Sequence, residues 1–176
     1  IEELHKQNAA LTVERDSLKT TVTSVNAKAT ELERQNQDLN TKVKAAAALK
    51  VSNISVIPLR IRNSGKETDV TRASTAKKLR ISFNGAENAL ATQGMHDIFV
   101  RIIDPSGNLI MEDNSSLFSA DGEDIQYTYR TAVEFANDGK VFNIDWTNPK
   151  PFQKGTYTIV LYADGYAMGK ADVTLK

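Results

Sequence analysis

The first 50 residues carry apolar side chains at alternating steps of three and four positions. With Ile1 at heptad position a, every d position is apolar over seven heptads. One helix cannot bury so narrow a stripe by itself, so the pattern predicts a coiled coil formed by several helices. We expect the following residues to form the oligomer interface: Leu4, Asn8, Leu11, Leu18, Val22, Val25, Leu32, Asn36, Leu39 and Val43.

Polar and charged residues around this stripe predict the number and direction of the helices. Asn8 and Asn36 occupy a positions, where the two side chains of a dimer hydrogen-bond to each other across the axis. In a parallel pair, position g of one helix faces position e of its partner. Both charged pairs of this kind are attractive: Glu14 with Lys19, and Lys28 with Glu33. The sequence therefore predicts a parallel homodimer.

Two alternatives to the dimer remain open. A trimer is compatible with Val22 and Val43 at a positions and with mostly Leu at d positions. A helix that packs against its own domain is the other alternative, and it would need a wider apolar stripe with a period of about 3.6 residues.

From Val51 onward, apolar and polar residues alternate with a period of two, which is typical of half-buried β-strands. Asp-Gly dipeptides mark turns between these segments. The expected strands are 51–62, 77–84, 95–104, 108–112, 124–136, 141–146, 157–163 and 168–175. Short strands separated by turns predict an antiparallel sandwich of two sheets. The chain is thus predicted to be multi-domain, with a coiled coil at 1–50 and an all-β domain at 51–176.

Two segments of the all-β domain carry a recognisable pattern. Segment 151–165 contains a Gly-x-Tyr step from Gly155 to Tyr157, and segment 99–109 contains an Asp-Pro-Ser-Gly-Asn turn. They resemble the E–F corner with its F–G hairpin, and the C–C′ hairpin, of bacterial immunoglobulin-like domains. The resemblance implies an immunoglobulin-like sandwich without a disulfide, in which the Tyr157 hydroxyl bonds to nearby backbone.

The predicted coiled coil followed by this sandwich is similar to coiled-coil-stalked envelope proteins of Gram-negative bacteria. The resemblance implies a periplasmic or cell-surface location. It also implies a membrane anchor, which we expect upstream of Ile1, because no run of about 18 apolar residues occurs in the sequence itself.

Composition narrows the possible chemistry. The sequence has 22 basic and 22 acidic residues, so it lacks the positive excess that favours nucleic-acid binding. It contains no Cys and only two His, and it lacks a GxxxxGK[ST] phosphate-binding loop. We therefore expect a non-enzymatic protein without a cofactor or a metal site, and without a nucleic-acid partner.

Four basic residues are candidates for a charged binding surface. Arg60, Arg62, Lys78 and Arg80 would line up if the first two predicted strands were neighbours in one sheet. Such a stripe could contact an anionic polymer or a lipid head group. A charged face that protects a sheet edge is the simpler interpretation.

Three other features have both a functional and a structural interpretation. The acidic residues of segment 112–124 could bind Ca²⁺, but their spacing lacks the EF-hand pattern, which favours a solvated loop. Trp146 could stack on a sugar, although a core aromatic is the simpler interpretation. His96 is expected at the start of a strand, without a second His or Cys to complete a metal site.

The sequence predicts a non-enzymatic structural or interaction protein of the bacterial envelope. In this role a coiled-coil dimer would present β-sandwich domains as a spacer or an assembly scaffold. The alternative is a bivalent module that recognises a glycan or a protein partner through the sandwich loops. Loops 63–76, 85–94 and 113–123 are long enough to form such a site.

Overall fold

A computed structural model of the chain describes residues 1–111 and 116–176. These residues divide into two compact units, Ile1–Lys44 and Ala45–Lys176. A single helix, α1 (Glu2–Ala47), comes first. The strands that follow are β1 (Val51–Ile61), β2 (Glu67–Asp69), β3 (Lys78–Gly85), β4 (Gly94–Ile103), β5 (Leu117–Ala120), β6 (Glu123–Gln126), β7 (Tyr129–Phe135), β8 (Val141–Thr147), β9 (Gly155–Ala163) and β10 (Tyr166–Leu175). The domain boundary after residue 50 stays a prediction.

The composition of the first unit explains its helix. Residues 1–50 contain no Gly or Pro and are rich in good helix formers. Glu2 and Glu3 lie in the first turn of α1 and Lys44 lies in the last, where their charges complement the helix dipole. No residue of α1 is buried, so the helix has no core of its own.

The second unit contains two four-stranded antiparallel sheets. Their strand orders are β2-β1-β3-β8 and β10-β9-β4-β7. Every second side chain of β3 and β4 enters one shared core, because side chains alternate between the two faces of a strand. These core residues are Leu79, Ile81 and Phe83 from the first sheet, and Ile98, Val100 and Ile102 from the second. The chain is therefore a helix followed by β-sheets that pack as a sandwich.

A third, two-stranded sheet lies on the outer face of the second one. It is the hairpin β5–β6, whose turn residues Asp121 and Gly122 both have positive φ, at 52° and 83°. Phe118 of β5 stacks on Phe99 of β4, with ring centroids 4.4 Å apart. The Asp121 N–H also donates to the carbonyl of Gly165 in the β9–β10 turn at 2.8 Å. A hairpin this short is stable only when it packs on such a surface.

The predicted strand 124–136 is wrong as a single element, because it consists of β6 and β7. The break lies at Thr128. Its hydroxyl accepts a hydrogen bond from the Ile102 N–H at 2.9 Å, so a side chain takes the place of a strand neighbour there. The sequence pattern runs through this position because Thr is a good strand residue.

One further strand prediction and one loop prediction need correction. Segment 108–112 is not a strand over its described part: Leu109 forms one isolated bridge with Ile103, and residue 112 lies outside the described residues. The predicted loop 63–76 contains β2, whose three polar residues pair with the end of β1. Such a short polar strand gives no alternation that a sequence pattern could detect.

Candidate functional site

The apolar residues of the predicted heptad stripe all lie exposed on α1. Their side chains are between 53% and 65% exposed: Leu4, Leu11, Leu18, Val22, Val25, Leu32, Leu39 and Val43. Asn8 and Asn36, the polar members of the stripe, are exposed as well. Eight large apolar side chains in register along one helix form an exposed patch of the kind that marks an interaction surface. That these residues bind a second helix stays a prediction.

Charged residues beside the stripe differ in whether they have partners. Arg34 at position f pairs with Glu31 at 2.8 Å, and Lys42 at position g pairs with Asp38 at 2.9 Å. The g and e residues named above form no salt bridge within the described residues: Glu14, Lys19, Lys28 and Glu33. The charges at the predicted interface are therefore available to a partner helix.

The predicted basic stripe is wrong, and strand register explains why. Lys78 lies directly opposite Leu59 of β1, and directly opposite residues point to the same face of a sheet. Arg60 follows Leu59 in the same strand and so belongs to the other face. Arg60 and Arg62 therefore do not line up with Lys78 and Arg80.

Two carboxylates neutralise the remaining two basic residues. Arg80 donates two hydrogen bonds to Asp145 of β8, both at 2.7 Å, and one to Glu67 of β2 at 2.8 Å. Lys78 bonds to Asp145 at 2.8 Å and also to Glu67. We call these four residues the ion quartet. Because each cation meets two carboxylates, the quartet offers no excess positive charge to an anionic ligand.

The ion quartet fixes the protonation of its members. The Arg80 guanidinium beside Asp145 lowers the pKa of that carboxyl to about 2, although partial burial acts in the opposite direction. The pKa of Lys78 is raised, first by Asp145 and then by Glu67. All four groups are therefore charged at neutral pH, and only 8% of Lys78 is exposed. The arrangement is a structural clamp across β2, β3 and β8.

The acidic segment 112–124 does not form a metal site in its described part. Glu112 and Asp113 lie outside the described residues, while Asp121, Glu123 and Asp124 belong to the β5–β6 hairpin. No group of three His, Cys, Asp or Glu residues among the described positions could hold a metal ion.

Trp146 is a core residue, as the simpler of its two interpretations predicts, and Tyr157 is buried as well. Trp146 is 2% exposed and Tyr157 is 1% exposed. The Tyr157 hydroxyl accepts a hydrogen bond from the Gln153 N–H at 2.8 Å, so the predicted bond from this side chain to nearby backbone is confirmed. At the same corner, Gly155 has φ +128°, and a Cβ placed there would lie 2.6 Å from Pro105 Cβ.

The sequence did not reveal a cluster of aromatic residues on the outer face of the second sheet. Phe99 and Tyr162 lie opposite each other on β4 and β9, and Phe118 and Tyr127 pack on them from the hairpin side. The Arg130 guanidinium lies 5.6 Å from the centre of the Phe99 ring. Alternation along β4 puts Phe99 on the face of the strand that points away from the core. This is the sequence signal from which the cluster could have been predicted.

His96 lies at the start of β4, as predicted, but it is not a free surface residue. Its ring Nδ1 lies 2.8 Å from Asp164 Oδ1, and its Nε2 lies 2.7 Å from the Thr92 carbonyl oxygen. The other Asp164 oxygen, Oδ2, accepts a hydrogen bond from the Leu49 N–H at 3.3 Å. These contacts join three chain segments that are far apart in the sequence.

A cavity of about 300 Å³ opens at one end of the sandwich. It lies between segments 104–111 and 148–153, and its lining includes Asp104, Lys150 and Tyr157. These are not the loops that the sequence favoured for ligand binding, since 63–76, 85–94 and the described part of 113–123 do not line it, while residues 113–115 lie outside the described residues.

Comparison with known proteins gives a family and no activity. No helix in the described part of the chain is both long and apolar enough to cross a membrane. No curated protein matches the sequence. A family model described as "Domain of unknown function (DUF8428)" matches residues 52–176, which is more than half of the chain. The chain therefore belongs to the family DUF8428.

Proposed function

We propose that this chain is a non-enzymatic structural or interaction protein that associates through α1 as a parallel coiled-coil dimer. In this role it presents two copies of the β-sandwich as a spacer or an assembly scaffold. One observation carries the proposal: the apolar heptad stripe is unbroken at every d position and is more than half exposed on the single chain.

The energy available from this stripe supports association. Full burial of one Val or Leu side chain contributes about 1.5–3 kcal/mol. The stripe has eight such residues in each chain, and nothing in α1 buries them. Their combined burial in a dimer would outweigh the cost of associating two chains.

The polar residues of the stripe support a parallel arrangement. In a parallel dimer, Asn8 faces Asn8 and Asn36 faces Asn36, so that each amide finds a partner. In an antiparallel pair, a residues lie opposite d residues, and each Asn would face an apolar side chain without a hydrogen-bond partner. The unpaired g and e charges named above add attractive contacts to the parallel form.

Disulfide trapping tests both the association and its direction. The chain contains no Cys, so a single Val43→Cys change introduces the only thiol. In a parallel dimer the two introduced thiols lie opposite each other near one end of the stripe, within disulfide distance. Mild oxidation should therefore give a covalent dimer in high yield.

Val13→Cys is the matched control for this experiment. Val13 is also an exposed valine of α1, at 71%, but it occupies heptad position f, away from the stripe. It should remain a monomer on denaturing gels under the same oxidation. Equal crosslinking of the two variants, or crosslinking of neither, would contradict a parallel dimer through this stripe.

The proposal also includes a location in the periplasm or at the cell surface, with a membrane anchor upstream of Ile1. Its support is the resemblance to envelope proteins, together with the hydrogen bond between Tyr157 and Gln153 at the predicted corner of an immunoglobulin-like sandwich. External protease should digest the sandwich in spheroplasts of the source organism. A sandwich that is digested only after lysis would contradict this location.

The cavity at the end of the sandwich favours a second candidate function, the recognition of a glycan or a protein partner. Its volume of about 300 Å³ and its mixture of charged and apolar residues suit a small part of such a ligand. Nuclear magnetic resonance (NMR) titrations with soluble oligosaccharides and peptides should shift signals of Asp104 and Lys150 first. Shifts spread evenly over the sandwich would argue against a site in this cavity.

A further inference from the structure

His96 has hydrogen-bond partners that only its doubly protonated form can satisfy. Asp164 Oδ1 is a carboxylate oxygen and the Thr92 oxygen is a backbone carbonyl, so both are acceptors. A neutral imidazole has one N–H and could donate to only one of them. The imidazolium donates to both, at 2.8 Å and 2.7 Å.

The His96 ring has little contact with solvent or with other side chains that could hydrogen-bond to it. The side chain is 9% exposed, and its ring meets that of Phe135 on β7 edge-on, with centroids 6.1 Å apart. A neutral ring that keeps its proton on Nδ1, facing Asp164, would therefore place an unprotonated Nε2 against the Thr92 carbonyl oxygen, with little access for water. Loss of the second proton removes one N–H donor. The hydrogen bond is then replaced by a repulsive contact between the ring nitrogen and the carbonyl oxygen.

Asp164 connects the histidine to other parts of the domain. Its Oδ2 accepts from the Leu49 N–H, two residues beyond the end of α1. Its neighbour Gly165 holds the tip of the β5–β6 hairpin through the Asp121 N–H. Asp164 itself has φ +53°, a conformation that non-glycine residues adopt at a cost and that its contacts must maintain.

We propose that His96 and Asp164 form a pH-controlled latch. While the imidazole carries both protons, the latch fixes Leu49 and the β9–β10 turn to the start of β4. When one proton leaves, the latch loosens, and the Leu49 amide and the hairpin tip lose part of their support. The latch lies within the second unit and does not depend on self-association.

Asp164 is the charged group that pairs with His96, because the other charged groups nearby have other partners or are exposed. Lys50 donates to the carbonyl of Ala167, and Asp97 belongs to the other face of β4, where it pairs with Arg130. The remaining acids of the neighbouring elements are exposed and form no ion pair among the described residues: Glu87 and Glu134.

The direction of the pH effect follows from these contacts. Burial lowers the pKa of His96, but the hydrogen bonds to Asp164 and Thr92 and the Asp164 charge raise it by more, so it lies above the ordinary value. A group whose pKa is raised by folding stabilises the fold fully below its unfolded-state pKa, near 6.5. This stabilisation is lost as the pH rises through the higher folded-state value.

The test is an NMR titration of the full chain from pH 5.5 to about 9. The chain has two histidines, and His5→Gln leaves His96 as the only one, so that its ring signals are assigned directly. Below the midpoint both ring nitrogens should be protonated, and the midpoint should exceed about 6.5. The protection of the Leu49 amide against hydrogen exchange, corrected for the intrinsic pH dependence, should fall several-fold across the same midpoint.

A second variant separates the latch from general effects of pH. His96→Gln keeps one donor to Asp164 but cannot titrate, so the pH dependence of Leu49 and Asp121 protection should disappear in it. A midpoint below the ordinary histidine value would overturn the proposal. So would unchanged Leu49 protection across the midpoint in the histidine-containing chain, a result that does not require any variant to fold.

Discussion

Leucine has opposite environments in the two units of this chain. Leu18 and Leu32 on α1 are 58% and 62% exposed, whereas Leu79 and Leu161 in the sandwich are fully buried. The residue type is the same, and only the period of the surrounding pattern differs. A period of two gives a strand whose apolar face meets another sheet of the same unit, whereas the heptad gives a stripe whose apolar residues are exposed.

The comparison teaches where each unit gains its stability. Among the described residues, twenty buried side chains of the sandwich form one core cluster, and changes within it can destabilise the domain. The helix has no buried residue, and the proposed dimer would supply the burial that its apolar stripe lacks. Changes to one unit should therefore leave the other intact. Trp146, the only Trp in the chain, reports on the sandwich by fluorescence, and circular dichroism at 222 nm reports mainly on the helix.

The largest expected effect is at Tyr157. Tyr157→Ala removes a fully buried ring and should lower the free energy of unfolding of the sandwich by about 3–5 kcal/mol. Tyr157→Phe keeps the ring and loses only the hydrogen bond to Gln153, for about 1 kcal/mol. Denaturant titrations followed by Trp146 fluorescence measure both losses. Equal, near-zero losses would show that this corner contributes nothing.

Gly155→Ala should have the next largest effect. The residue has φ +128°, which only glycine adopts easily, and the added Cβ would lie 2.6 Å from Pro105 Cβ. Strain and steric conflict together should cost about 2–3 kcal/mol. Gly139→Ala is the control, because its φ is also positive, at 68°, but its Cβ would meet open space. If the two variants melt at the same temperature, the conflict with Pro105 is not important.

Asn36→Ile addresses the helix alone. Replacing a polar a residue by an apolar one should stabilise the dimer by about 2 kcal/mol, while it removes the group that penalises other oligomers. The helix signal should therefore melt at a higher temperature, and trimers should appear at high concentration. An unchanged melting temperature would mean that Asn36 does not lie in an interface.

The ion quartet should have the smallest effect. Asp145→Asn leaves Lys78 and Arg80 with one carboxylate between them, and solvent screening of this partly exposed group limits the loss to about 1 kcal/mol. The pKa of Asp145 is lowered to about 2, so its contribution is complete above about pH 4 and is lost as the pH falls towards 2. Acid titrations of the two chains should therefore converge near pH 2. Curves that stay parallel would contradict the ion pair.

Patterns local in the sequence predicted the fold well. The heptad predicted a helix, which the structure ends at Ala47, and the Gly-x-Tyr step predicted the buried Tyr157 and its backbone bond. Long-range register was not predictable. Whether Arg60 shares a face with Lys78 depends on a one-residue choice in the pairing of β1 and β3, which alternation alone does not specify.

The contacts that join distant segments could not be predicted from the sequence either, because they also depend on how strands pair over long range. His96 and Asp164 are 68 residues apart, and only the topology of β4 and β9 brings them together. The ion quartet requires a three-residue polar strand, β2, whose sequence resembles a loop. The outer aromatic cluster depends on where the β5–β6 hairpin packs, which its own sequence does not indicate.

Sedimentation equilibrium of the full chain tests the proposed self-association most directly. At tens of micromolar and neutral pH, we expect twice the chain mass of 19.4 kDa. Val25→Glu places a charge at a d position and should give the single-chain mass, whereas Val13→Glu, at exposed position f, should remain a dimer. A single-chain mass for the unmodified protein would contradict a coiled-coil dimer.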